Sequence, residues 1–174
     1  MTAFRAGAGG WWTGLLVLLL ALAGCEPSEP RTPASPDLRF RPDGYLDFLR
    51  PDGTIITRIA IEIAESDSAQ MRGLMQRTTL PARGGMLFIN PDARPRTFWM
   101  KNTPLSLDIL FVAPDSGIVN IARNTHPYSE ETIPSTGPAQ FVVEVRAGFT
   151  QQHGIDDSAR IHWKRAVIPV GTQR

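Results

Sequence analysis

The amino-acid sequence predicts a mostly-β domain, α+β by strict count: a small barrel-like or two-layer antiparallel sheet with one short helix at about residues 67–77. Three observations carry that prediction. Short apolar runs recur along the chain, Met86–Ile89, Ile109–Ala113 and Phe141–Val145 among them, with Pro, Gly or Asp between them. Thr54–Ala64 alternates at period two, with Ile59, Ile61 and Ile63 on one side and Arg58, Ala60 and Glu62 on the other. Helical spacing is confined to Ser66–Gln76 and to one turn near Phe149–His153.

A length of 174 residues suits one ordinary domain plus a targeting segment. Residues 1–24 carry a single charge, Arg5, ahead of the apolar run Leu15–Leu22, which has the length of a signal-peptide core and is short for a spanning helix. The run ends Leu22-Ala23-Gly24-Cys25, which resembles the bacterial lipobox, so residues 1–24 read as a lipoprotein signal peptide and Cys25 as the lipidated residue. An anchor of more than one acyl chain would hold the protein on the membrane, exported and facing the periplasm. Glu26 follows Cys25 in place of the aspartate that retains such proteins in the inner membrane, so this resemblance favours the outer membrane where two membranes exist. Residues 25–37 contain Pro27, Pro30, Pro33 and Pro36 among Ser, Thr and Glu and read as an extended tether. The remaining 38–174 make one β-rich domain.

Charge and cysteine content exclude several classes. The chain has 18 basic and 17 acidic residues, and loss of residues 1–24 leaves 17 of each, with no long basic run to bind nucleic acid. Cys25 is the only cysteine, so no disulfide, thiolate metal site or cysteine nucleophile is expected, and no cofactor is predicted.

Within the domain, Tyr45–Leu49, the Pro51-Asp52-Gly53 turn and Thr54–Ala64 predict a hairpin. Ser66 and Asp67 cap the short helix, with Gln70 in capping-box position and Met71, Leu74 and Met75 sharing its inner face; Gly73 leaves room for a close neighbour. Gly84-Gly85 leads into a buried strand, Met86–Ile89, bounded by Pro91. Pro114–Gly117 turns the chain between Ile109–Ala113 and the returning Ile118–Ala122, Asn124–Ala139 reads as a long surface loop, and Ile161–Val170 as the last strand.

The chemically densest stretch is Thr97–Asp108, which sets two aromatics, a methionine, the first of two lysines, an amide and a carboxylate ahead of an apolar run. Together with Gly73-Leu74-Met75-Gln76-Arg77, Gly85-Met86-Leu87-Phe88, Phe98–Thr103, Leu107-Asp108 and Val143–Gly148, it makes residues 56–163 resemble the bacterial and archaeal domain-of-unknown-function family 192. The resemblance implies a small β-rich barrel with one helix and implies little about activity. The family's Ile-Pro-Leu-Asp is Leu105-Ser106-Leu107-Asp108 here, with the proline two positions early at Pro104; its C-terminal Gly-Asp falls on Ser158-Ala159, and no role is carried there.

Three chemistries stand open. The first is a binding cleft for a small polar, anionic or sugar-like molecule, with Trp99 as floor and Lys101, Asn102, Asp108 and Arg72 around it. Its structural competitor makes Phe98 and Met100 core, Lys101 solvated and Asn102 a turn former. The second is a carboxylate-dependent hydrolase using Glu62, Asp108 and Glu144, against which stands pairing with the chain's arginines. Ser135 and His126 lack a nucleophile elbow and are not a triad. The third is copper(I) on Met71, Met75, Met86 and Met100 with His126, His153 or His162; ordinary core filling by methionine competes with it.

Overall fold

A computed structural model of the chain describes residues 38–166. The expected signal peptide 1–24, lipidation site Cys25 and tether 25–37, and the end of the expected last strand, lie outside the described residues. The chain order is β1 (Gly44–Leu49), β2 (Ile55–Ala64), α1 (Asp67–Arg72), β3 (Gly84–Arg94), β4 (Thr97–Phe98), β5 (Leu107–Val112), β6 (Ile118–Ala122), β7 (Ile133–Pro134), β8 (Ala139–Arg146), α2 (Phe149–His153) and β9 (Arg160–Arg165).

Seven strands form one sheet in the order β6-β5-β8-β3-β2-β1-β9, and β4 and β7 form a separate pair. The fold is α+β with a mixed sheet and short helices. The β1–β2 hairpin forms as the sequence predicts, with Gly53 at φ +84° and Gly53 N–H donating to the Arg50 carbonyl. An all-antiparallel sheet is corrected at one pair: β2 and β3 run parallel, because the chain between them crosses over through α1 before returning to the sheet.

The barrel-like expectation is also corrected. The outermost strands β6 and β9 meet only at an isolated Gly117–Arg160 bridge, where Ile118 N–H donates to the Ala159 carbonyl and Ile161 N–H to that of Ser116. No ladder follows beyond that bridge, and the Asn120 side chain on β6 instead binds the end of β7 and the residues after it. Asn120 Nδ2 donates to the Pro134 carbonyl at 3.3 Å, and its Oδ1 accepts from Thr136 N–H at 3.0 Å. The sheet therefore stays open. The lipoprotein expectation likewise finds no support among the described residues, since Leu22–Cys25 lie outside them.

The sheet buries both faces. Leu46, Phe48, Ile59, Ile61, Leu110, Val143 and Val145 pack on one side with Phe149 of α2, while Leu74, Met86, Phe88, Met100, Ile109, Phe111 and Val142 pack on the other. All six residues of β5 are buried, as a strand covered on two sides requires. Two local departures shape the second face. First, α1 ends at Arg72, with Gly73 at φ +46°, so Leu74 is buried while Met71, expected on the inner face, is 75% exposed. Second, β3 runs past Pro91 to Arg94 through a register shift between Ile89 and Arg94, instead of stopping there.

Gly85 lies where β3 is sandwiched between β2 and β8. A Cβ at that position would sit 2.7 Å from the Glu144 carbonyl oxygen and 3.0 Å from Ile59 Cδ1. The backbone oxygen cannot rotate away, so Gly85→Ala is expected to lower stability by about 2 kcal/mol, measured as a fall in the urea midpoint.

Candidate functional site

The segment after β4 alternates sides because its neighbours claim two of its residues. Phe98 stands edge-on to Phe88 and Phe111, with centroids 5.0 and 5.8 Å away, and Met100 is buried with its sulfur accepting from Thr125 Oγ1 at 3.2 Å. Trp99, between them, is turned outward and is 47% exposed. A β-turn follows: Thr103 N–H donates to the Met100 carbonyl at 3.0 Å, with Asn102 at φ +54° in the position where a type II turn needs glycine or asparagine. The Asn102 carbonyl accepts from Gln76 N–H at 2.7 Å, which ties this turn to the one after α1.

Between α1, β3 and residues 96–99 lies a groove of about 260 Å³. Phe88, Phe98 and Trp99 supply its aromatic wall and Met71 overhangs it. Its polar groups are Gln70, Asn90, Arg96 and Thr97. Gln70 Nε2 donates to the Ile89 carbonyl at 2.7 Å and Asn90 Nδ2 to that of Gln140 at 3.0 Å, so the backbone occupies both amide nitrogens and leaves the oxygens. Arg96 Nη2 donates to Asp92 Oδ1 at 2.6 Å and its Nε to the Ala139 carbonyl at 3.2 Å. The Arg96 hydrogen bond, with the positive charges of Arg94 and Arg96, holds the Asp92 carboxyl below its ordinary range.

A smaller recess of about 40 Å³ shares Gln70, Met71, Phe88, Phe98 and Trp99 with the groove and reaches down to Thr103 and Glu144. Glu144 lies on β8 between Met86 of β3 and Ile109 of β5, in the apolar second face. It is 5% exposed and its Oε2 makes no hydrogen bond. Burial pushes its pKa up to about 8, so the carboxyl is neutral at pH 7.

The residues expected around Trp99 divide. Trp99 and Arg72 line the recess together, and Lys101 Nζ lies 5.2 Å over the indole while also facing Glu130 Oε1 at 3.6 Å. Asn102 shapes the turn, and neither it nor Asp108 lines the groove or the recess. Asp108 is on the opposite face of β5, where its oxygens accept from the backbone of Asn124, Gly148 and Thr150 and from Thr150 Oγ1, at 2.7 to 3.2 Å. It clamps the entry to α2.

The carboxylates of the hydrolase reading also separate. Glu62 is 2.7 Å from Arg77 Nη2 and accepts from Arg41 N–H at 2.8 Å, and Asp108 is engaged by the four bonds just described. Glu62 Oε2 makes no hydrogen bond either but faces Arg77 as an ion pair, so Glu144 alone of the three has a buried oxygen with neither. Ser135 Oγ accepts from Arg96 N–H and donates to the Gly137 carbonyl. Of the methionines, Met86 and Met100 fill the core. Among the described residues no group of three or more His, Cys, Asp and Glu side chains could hold a metal ion. Sequence reasoning missed Gln70, Asn90 and Arg96 as groove residues: Gln70 read as a helix-capping side chain, and Asn90 and Arg96 carried no signal that pointed to a site.

The profile of the DUF192 family, described as an uncharacterized ACR, matches residues 48–163. The chain belongs to that family. No curated protein matches the sequence. Among solved structures, a proposed transcription regulator from Sinorhizobium meliloti 1021 is 34% identical with a TM-score of 0.66, covering 69% of this chain and 92% of that one. A protein of unknown function from Novosphingobium aromaticivorans DSM 12444 is 35% identical with a TM-score of 0.64, covering 68% and 84%. In this DUF192 member, the motifs around Gly73, Phe98 and Val143 converge on the recess.

Two measurements separate the structural carboxyl from the exceptional one. Asp108→Ala strands four donors, the two of Thr150 buried and those of Asn124 and Gly148 partly so, and is expected to cost about 3 kcal/mol in urea unfolding. Glu144 behaves oppositely. Its folded pKa is raised from 4.5, so the stability its neutral form contributes is complete below that value and is lost as pH climbs toward about 8. Unfolding free energy is expected to fall by a few kcal/mol across that window, and Glu144→Gln to flatten the profile.

Proposed function

We propose that this DUF192 domain binds a small polar molecule in the groove between α1 and β4. Trp99 stacks on the ligand's less polar surface, and Arg96 holds an electron-rich end. The observation carrying this reading is the half-exposed indole, which borders a concavity beside the oxygens of Gln70 and Asn90. An aromatic surface beside a few oriented polar groups is the usual composition of a small-molecule site. The Arg96 guanidinium is held by Asp92 and the Ala139 carbonyl, so a ligand meets a charge already oriented.

A hydrolase built on paired carboxylates has less support, because Glu62 is engaged by Arg77 and Asp108 faces the other way. A nucleic-acid partner, suggested by the description of the Sinorhizobium relative, draws none from the chain's 18 basic and 17 acidic residues.

The test is a thermal-shift screen of small amines, carboxylic acids and sugars. Compounds that raise the melting temperature are expected to lose that effect in Trp99→Ala and Arg96→Ala. Lys101→Ala should weaken binding only about threefold, since its charge sits at the exposed rim beside Glu130. An undiminished shift in Trp99→Ala, or no active compound in the whole screen, would sink the proposal.

A further inference from the structure

We propose that the recess beneath the groove is a site for a protonated amine, with Glu144 as the counter-carboxylate and the aromatic wall as its surround. The inference rests on the reading of the groove as a ligand site and names the class of ligand it takes.

Glu144 is the starting point. A carboxyl in the middle of a sheet face made of Met86, Phe88, Ile109 and Val142 adds nothing to packing that an apolar residue would not, and it carries the cost of desolvation. The charged groups around it are paired with one another or lie at the surface, although the buried Arg77 keeps its Nη1 without a hydrogen bond. On β2 and the turn after α1, Glu62 and Arg77 pair with each other at 2.7 Å. On α1, Arg72 is exposed at the mouth, and on the loop after β4 Lys101 lies over Trp99. The flanking strands contribute only Met86 and Ile109. Burial is the one cause of the raised pKa, with no neighbouring charge contributing to it.

The remaining groups of the recess are suited to a donor. Thr103 Oγ1 donates its proton to the Lys101 carbonyl at 3.2 Å and so has only lone pairs left to offer, and Gln70 keeps its amide oxygen once its nitrogen is bonded to Ile89. Phe88, Phe98 and Trp99 present π-systems, and Met71 and Met75 present thioethers, all polarisable partners for a cation. The volume of about 40 Å³ admits a group the size of one to a few waters. That fits an ammonium head and is too small for a sugar ring or a phosphate, which leaves the wider groove and Arg96 for the ligand's other end.

Binding then moves one proton. The neutral Glu144 carboxyl gives its proton to solvent as the ammonium enters, and a carboxylate–ammonium pair replaces acid and free cation. No bond to carbon changes. Affinity should therefore climb about tenfold per pH unit from about pH 6 to about pH 8, below the pKa of an alkylamine near 10.

The probe is n-butylammonium chloride, titrated calorimetrically into the protein at about pH 6.5 in two buffers of different ionisation enthalpy, with n-butanol and sodium butyrate as controls. The expected result is selective binding of butylammonium with release of about one proton per ligand. Glu144→Gln should lose about tenfold or more in affinity together with the proton release. A second measurement covers the case in which that variant does not fold: the carboxyl carbon of Glu144, followed by NMR, should titrate at lower pH once butylammonium saturates the site. Equal binding of butanol or butyrate, binding without proton release, or an unmoved Glu144 titration would overturn the amine inference. If the controls or other screened compounds still bind in a Trp99-dependent manner, the groove reading survives that failure. If nothing binds, both fall.

Discussion

Phe98 packed edge-on between Phe88 and Phe111 is the contact on which the groove depends. Each edge-to-face pair contributes about 1 kcal/mol beyond the area it buries, and three rings in a row hold β4 against the sheet although β4 itself has only two residues. With Phe98 inward, and Met100 inward two residues later, backbone alternation leaves Trp99 facing out. The same contact brings the 97–103 loop against the turn after α1, where the Asn102 carbonyl and Gln76 N–H close the interface. Gly73 completes it: its φ of +46° ends the helix, and its missing side chain leaves the ring of Phe88 its place, 3.2 Å from where a Cβ would be.

The sheet treats its carboxyl groups in three ways. Asp47, on β1, is met across the strand by Arg58 at 2.6 and 2.8 Å, and that hydrogen bond holds it below its ordinary range. Asp108 is met by backbone donors at the entry to α2. Glu144 is met by neither, although all three are buried to a similar degree. Location explains the contrast. Glu144 lies mid-strand on β8, where the ladders to β3 and β5 engage the backbone groups, and its side chain extends into the apolar face beneath the groove.

Much of the architecture was legible because it is local. The Pro51-Asp52-Gly53 turn, the period-two Ile59–Ile63 run and the Ser66 cap each depend on residues within a few positions of one another, and all three form. The family motifs also marked the segments that later converge. What was illegible involves partners distant in sequence. Gln70 fits a capping box on paper, yet its amide reaches the Ile89 carbonyl on β3; Asp108 reads as a rim residue until its face of β5 is known. A one-residue change in side sends a strand residue to the opposite layer, and only the pairing register specifies which layer holds the groove.

The sequence by itself determined the β-rich class, the first hairpin and the cap of α1, because propensity, periodicity and turn chemistry act over a few residues, and it left Asn102 open between a turn former and a ligand contact. Tertiary structure alone decided that β2 and β3 run parallel, that the sheet stays open between β6 and β9, and that Arg96, Gln70 and Asn90 gather beside Trp99. It also decided which of three candidate carboxyls is left without a partner. Glu62, Asp108 and Glu144 look alike in the sequence, and only the three-dimensional placement of Arg77 and of the α2 entry distinguishes them.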